Sequence, residues 1–355
     1  MQQAVGMDQL SAHLDRGWDL LNRGDLRGAR ASARRAMEID KESPEAFHLL
    51  GQVCQREGEA DQALEHFRQA MSLDDGYIDP MLSAAEVLIH PMQDYDGAIA
   101  LCDEVLEFAE APEEIVDATL LKFDALLARG DDAEAAALLN GLPDGPFDGA
   151  MYPFLIGRAW YDAGDCRKAE PFLVDALRQE PRHPDAHYFL ALVREELGDV
   201  PGATRAFLEA RALDLNEPAA PWSLPREQFQ REVERACAAL EPDVARELEG
   251  AMVVVSDAPG LEAVVDGVDP RTPVLIDDFR AADNARVPLR VFIYQRNIER
   301  LCGGVEAVEE EILFQVTEEA RHVLLAAAAA PADSALPAEA TPPSDGKKPR
   351  KKSSR

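Results

Sequence analysis

Glu318 and His322 stand four residues apart in the last apolar-patterned stretch of the chain. That spacing puts a carboxylate and an imidazole near one another on a helix. With an acid brought in from elsewhere they could share a metal ion; otherwise they form a surface pair. The residues around them favour the pair. Arg321, three after Glu318, keeps its proton, offers no lone pair and repels a cation. The five cysteines, Cys54, Cys102, Cys166, Cys237 and Cys302, are scattered, odd in number and without a CxxC pair. They read as small core residues in a reducing compartment. No P-loop, dinucleotide-binding glycine motif or GxSxG occurs, and Gly303-Gly304 reads as a turn. These observations predict no cofactor, no bound metal and no catalysis.

The elements that carry these residues follow a repeat. Gly17, Gly24, Ala29 and Ala36 return 34 positions later as Gly51, Gly58, Ala63 and Ala70. Gly164, Ala169 and Ala176 return at the same interval as Gly198, Ala203 and Ala210. A 34-residue period of paired helices marks an α-solenoid, whose units bury their core only by stacking. Small residues at the eighth and twentieth positions let the two helices of a unit approach closely. A glycine near the fifteenth serves the turn between them, and an aromatic at the twenty-fourth fills the space toward the next unit. The unit from Pro44 carries Gly51, Gly58, Ala63, Phe67 and Ala70; the unit from Pro184 carries Ala191, Gly198, Ala203, Phe207 and Ala210. A third regular unit holds Gly157, Trp160, Gly164, Ala169 and Ala176. Two looser units lie between, one framed by Ala85 and Ala98, the other by Phe123, Gly130 and Ala135. The first unit, Leu10 to Ser43, has Ala33 where an aromatic would stand, and about six units fill residues 1–216.

These residues at this spacing resemble the tetratricopeptide repeat. The resemblance implies a groove lined by the first helix of each unit and occupied by a protein or peptide. Carried over position by position, it assigns Trp18 in the first unit and His48, Gln52 and Arg56 in the second. It assigns Phe154, Arg158, Tyr161 and Asp162 in the fifth, and Tyr188, Glu195 and Glu196 in the sixth. Aromatic and arginine side chains are common interface anchors, and the same aromatics also serve packing between helices. Where some relatives clamp a peptide carboxylate with lysine and asparagine, this chain has His48, Gln52 and Asp124, which argues against that use.

Repeat spacing ends near Asn216. Residues 217–225 hold three prolines and read as a linker, a semi-stiff spacer. A helix is expected from about Arg226 to Leu248, with an apolar stripe at Phe229, Val233, Cys237 and Leu240. Strands are expected at Met252–Val255, Pro273–Ile276 and Leu289–Tyr294, and a long helix from about Val305 to Ala329. The overall fold class is mainly α: a solenoid, then a small α+β domain at 226–330.

That segment, over about 224–325, resembles the small bacterial zincin-like metallopeptidases. The likeness rests on the opening helix leading into Met252-Val-Val-Val-Ser-Asp257, on Val291-Phe-Ile-Tyr-Gln-Arg-Asn-Ile-Glu-Arg300, and on the acidic helix entering Glu311-Ile-Leu-Phe-Gln-Val316. In that family the last helix carries HExxH, two histidines for zinc and a glutamate that activates water. Here the place reads Thr317-Glu318-Glu319-Ala320-Arg321, so only the glutamate remains. Thr317 has no imidazole and His322 is off the ligand face. The resemblance therefore implies a zincin-like domain without its metal site.

The 355 residues hold 67 acids and 36 bases, a formal net charge of −31. Six of the bases fall in the last nine residues, KKPRKKSSR. The acidic body should repel nucleic acid and anionic lipid and favour basic partners. Residues 331–346 are rich in proline, alanine and serine, so 331–355 is expected to be a disordered tail with a basic end. That end could fold back on the body or touch nucleic acid. No signal peptide or membrane-spanning stretch is visible, so the expected location is cytoplasmic, and the residue usage looks bacterial. The function expected is a non-catalytic adaptor or scaffold whose groove holds a partner, with the second domain as a further binding surface. A metallopeptidase with an altered site, a regulatory subunit of a bacterial signalling or polarity system, and a chaperone for basic clients are the rivals. The oligomeric state is left open.

Overall fold

The structure, a computed structural model, describes residues 2–277 and 289–329. Residue 330 and the segment read as a tail, 331–355, lie outside the described residues. The described residues divide into two compact units. One runs to Pro218 and takes back Gly260–Pro270; the other holds Ala219–Pro259 and resumes at Arg271.

The first unit is built from six helix pairs. They are α1 (Gln2–Asn22) with α2 (Leu26–Ile39), α3 (Pro44–Arg56) with α4 (Ala60–Leu73), and α5 (Ile78–Ile89) with α6 (Tyr95–Phe108). Then come α7 (Pro112–Arg129) with α8 (Asp132–Leu138), α9 (Met151–Asp162) with α10 (Cys166–Gln179), and α11 (Pro184–Glu196) with α12 (Val200–Asn216). The repeated small residues sit where the pairs close. Gly51 faces the Phe67 ring so tightly that a Cβ there would overlap it. A Cβ on Gly157 would meet Leu173 at 2.8 Å. The turn glycines Gly24, Gly58, Gly130, Gly164 and Gly198 all take φ between +78° and +90°, which a side chain resists. Behind three of these turns, and behind the glycine-free turn of the third pair, an aspartate opens the second helix. Asp25, Asp94, Asp165 and Asp199 accept from the N–H three residues on, at 2.9–3.1 Å.

The fourth pair is irregular. Its second helix ends at Leu138, and Leu139–Gly141 adds one 3₁₀ turn. Gly141, Pro143, Gly145 and Pro146 then forbid further helix. Buried Phe147 packs in the core beside that truncated helix, Ala150 packs with Ala176 and Ala186, and the next helix starts late, at Met151. The segment nevertheless keeps the register, since Gly130 and Ala135 return 34 positions later as Gly164 and Ala169.

The second unit begins with α13 (Arg226–Ala238), α14 (Pro242–Glu247) and β1 (Met252–Ser256). The expected single helix 226–248 is thus two helices. Pro242 holds Glu241 extended (φ −58°, ψ 145°) and so breaks it. The chain then leaves for the first unit, where it forms α15 (Leu261–Val265). It returns as β2 (Val274–Asp277), β3 (Arg290–Tyr294), α16 (Gln295–Leu301) and α17 (Val308–Ala329). The three strands form one sheet in the order β1-β3-β2. β3 runs parallel to β1, with Val254 opposite Phe292, and antiparallel to β2, with Leu275 opposite Phe292. Phe229, Val233, Ile293, Ile298, Ile312 and Val316 are the heart of its core.

Part of the stretch read as a spacer, residues 222–224, is packed in this unit. Trp222 and Leu224 lie against that core. Glu299, 7 % exposed, accepts from the Leu224 N–H at 3.0 Å, the Ser223 hydroxyl at 2.6 Å and the Gln295 amide at 2.9 Å. The prolines stop a helix but do not keep the segment in solvent.

Candidate partner-binding groove

The first helix of each pair packs against the first helix of the next, α1 to α3 and on to α11, whereas the second helices make no comparable contact. The odd helices therefore stand closer together, and their shared face is the inner face of the stack. The expected groove positions lie on these first helices, in differing environments.

His48 on α3 is buried, not presented. Its Nδ1 lies 2.9 Å from the Tyr77 hydroxyl and its Nε2 3.3 Å from Ser83 Oγ. Trp18 on α1 packs edge-on against it, ring centroids 5.1 Å apart. Burial drives the imidazole pKa down to about 4, so the ring is neutral. Gln52 donates to Ser83 Oγ at 2.8 Å, and Arg56 is exposed.

Phe154 stacks near His183, centroids 4.6 Å apart, and Tyr161 meets Phe189 edge-on at 5.6 Å. The exposed Arg158 lies 3.5 Å from Asp162 and 5.8 Å from the Phe189 centroid. Tyr188 is engaged within the first unit: its hydroxyl donates to Asp269 at 2.8 Å. Beside it, Val264 of α15, 1 % exposed, covers Ala191, Ala206 and Phe207. Glu195 and Glu196 are exposed. Trp18, Phe154, Tyr161 and Tyr188 thus act largely between helices, which leaves Gln52, Arg56, Arg158 and Glu195 as polar groups of the inner face.

A cavity of about 350 Å³ opens on this face where α5, α7 and α9 meet. Leu82, Leu120, Leu121, Phe123 and Leu155 give it apolar walls. Glu86, Asp117, Asp124 and Asp162 give it acidic ones, and Arg158 is the cation among its described lining residues. Crowding by the surrounding helices raises the carboxyl pKa values of Asp117, Asp124 and Asp162; nearby Arg158 opposes the rise at Asp124 and Asp162. Asp117 accepts from the Tyr152 hydroxyl at 3.2 Å. Asp124 has no hydrogen bond or ion pair among the described residues. Of the groove residues expected from sequence, only Arg158 and Asp162 line this cavity. Most of the rest comes from the two looser units, where Asp124, at a place corresponding to the carboxylate clamp, is the one residue the sequence singles out. The signal is present in the sequence, since Glu86 and Asp124 hold the ninth position of their units and Leu120 the fifth.

In the second unit, Thr317 on α17 donates its hydroxyl to Leu313 O at 2.7 Å. Arg321 lies 3.2 Å from Glu318 and 2.9 Å from Glu241. Among the described residues no three His, Cys, Asp or Glu side chains gather as a metal site would require. A threonine bonded to its own helix and an ion-paired arginine do not fit zinc.

A family model described as tetratricopeptide repeat matches residues 14–78 and 154–218. These stretches are tetratricopeptide repeats, and they flank the irregular pairs. Among solved structures, one from a functional characterization of Pseudomonas aeruginosa pilF is 19% identical with a TM-score of 0.49, covering 64% of this chain and 99% of that one. PilW, described as a widely conserved type IV pilus biogenesis factor, is 18% identical with a TM-score of 0.49, covering 59% and 94%. YrrB, described as a TPR protein with an unusual peptide-binding site, is 17% identical with a TM-score of 0.39, covering 52% and 93%. No curated protein matches the chain.

Proposed function

We propose that this chain of tetratricopeptide repeats is a non-catalytic adaptor that holds a protein partner against the inner face of the first unit. The observation that carries this reading is the cavity between α5, α7 and α9, open, part apolar and part charged, on the face where the odd helices converge. Protein interaction surfaces combine apolar anchoring with a polar rim in this way. No helix among the described residues is long and apolar enough to cross a membrane.

The second unit enters as a further binding surface derived from a zincin-like fold that has lost its chemistry. Thr317 and Arg321 stand at the two ligand positions; a neutral hydroxyl is a poor zinc ligand beside imidazole, and a guanidinium offers zinc no lone pair. Metal analysis of the full chain tests this: absence of bound zinc after zinc loading is expected, and one zinc per chain would restore the metallopeptidase reading. A regulatory subunit of a signalling or polarity system is an adaptor of the same physical kind, distinguished by the partner's identity.

Photo-crosslinking in cells tests the main reading. A crosslinking amino acid replaces Gln52 or Leu120 on the inner face, or Gln69 on the outward helix α4. Adducts to another protein are expected from the first two positions and not from the third. Adducts confined to position 69, or none at all, would overturn the assignment.

A further inference from the structure

The cavity on α5, α7 and α9 has a composition that selects among partners. Resting on the adaptor reading above, we infer that it receives a lysine or arginine side chain of an extended partner segment, with an aliphatic neighbour of that residue on the leucine wall. Three features of the same site argue for a cationic occupant. The first is charge balance: four carboxylates line the cavity and one guanidinium opposes them. That guanidinium lies 3.5 Å from Asp162, itself one of the four, and over the Phe189 ring, so three carboxylates have no ion-pair partner among the described residues. Asp124 feels the field of Arg158 but has no ion-pair or hydrogen-bond partner among the described residues, and Asp117 has only a tyrosine hydroxyl.

The second is placement. Asp117 and Asp124 are seven residues apart on α7, two turns along one face, with Leu120 and Leu121 between them. An acidic residue at each end of an apolar strip matches the long aliphatic stem and charged tip of lysine or arginine. The third is size. About 350 Å³ accommodates one long side chain and part of its neighbour, not a folded domain. Carboxylates gathered in one cavity repel each other when the groove is empty, and a cation entering between them relieves that cost. An acidic peptide terminus meets the opposite situation, which accords with the absence of a lysine and asparagine clamp.

The test uses the full chain and a fluorescent, end-blocked nonapeptide of leucine, serine and a single central lysine. Companion peptides carry norleucine or glutamate in place of the lysine. Fluorescence anisotropy at low salt is expected to show binding of the lysine peptide, at least tenfold weaker binding of the norleucine peptide, and none of the glutamate peptide. The variant D117N/D124N/D162N, checked for an unchanged thermal melt, is expected to lose at least tenfold in affinity for the lysine peptide. A control, E65Q/E104Q/E107Q, removes the same charge from exposed positions on α4 and α6 and is expected to bind as the parent does. Equal losses in both variants would reduce the effect to net charge and overturn the inference. So would equal binding of the norleucine peptide. If no lysine peptide binds while crosslinks still form at positions 52 and 120, the cavity's preference is wrong and the adaptor reading stands. If the crosslinks also fail, both fall.

Discussion

Gly51 shows how much a repeat signature rests on single atoms. Its missing Cβ is what lets the fully buried Phe67 ring lie against α3. Gly51→Ala should cost about 1–3 kcal/mol through overpacking, read as a lower urea midpoint at unchanged m-value. His48 behaves differently, because its role depends on pH. Unfolded, it titrates near 6.5; folded, near 4. The unfolded chain therefore binds the proton first, so this residue's contribution is full above pH 6.5 and is lost as pH falls toward about 4. Raised carboxyls at Asp117, Asp124 and Asp162 tilt the curve the other way in the acid range. The informative measurement is thus the difference between the parent and His48→Gln: the parent should lose on the order of 1–3 kcal/mol more between pH 7 and pH 4.5. Parallel stability curves would mean that His48 is not held neutral. At this scale the sequence displayed the packing glycines clearly, since each fixes a distance within its own pair. It assigned His48 to the groove because position along a helix is legible and depth of burial is not.

At the scale of elements, local chemistry carried most of the structure. Asp199 opens α12 by accepting from the Gly202 N–H at 3.1 Å, and Asp199→Ala should cost about 1 kcal/mol, measurable by chemical denaturation. Glu299 performs a less local task, fastening residues 223 and 224 to α16. Glu299→Ala strands an amide N–H and a hydroxyl in the interior and should cost about 2–4 kcal/mol. The same variant should make the chain near residue 220 a site of early proteolytic cleavage; resistance equal to the parent's would mean that Trp222 and Leu224 hold the segment unaided. The three strands and the long last helix were readable from apolar runs. The break at Pro242 and the fastening of 222–224 were not. The first was hidden inside an otherwise helical pattern, and the second depends on a partner 75 residues away.

For the whole molecule, the boundary between units was the least legible feature, because nothing in Gly260–Pro270 marks it as belonging with the repeats. Val264 and Asp269 complete the sixth pair, covering Phe207 and binding Tyr188. A fragment ending at Pro218 should therefore unfold at lower denaturant than the same repeats in the full chain, followed by near-ultraviolet circular dichroism. Identical midpoints would make the cover dispensable. The cavity is only partly legible for a related reason: α5 and α7 belong to the two units whose period is disturbed, and there only Asp124 stands out as a groove position.

The return of Gly260–Pro270 also sets an order of events in time. A ribosome releases the sixth pair about 40 residues before the segment that covers it, and at roughly 5–20 residues per second the wait is ~2–8 s. During that interval Phe207 and Ala191 are an open apolar end on a nascent chain. Any factor that shields such ends during translation has its moment there, and a pause near residue 260 would prolong it.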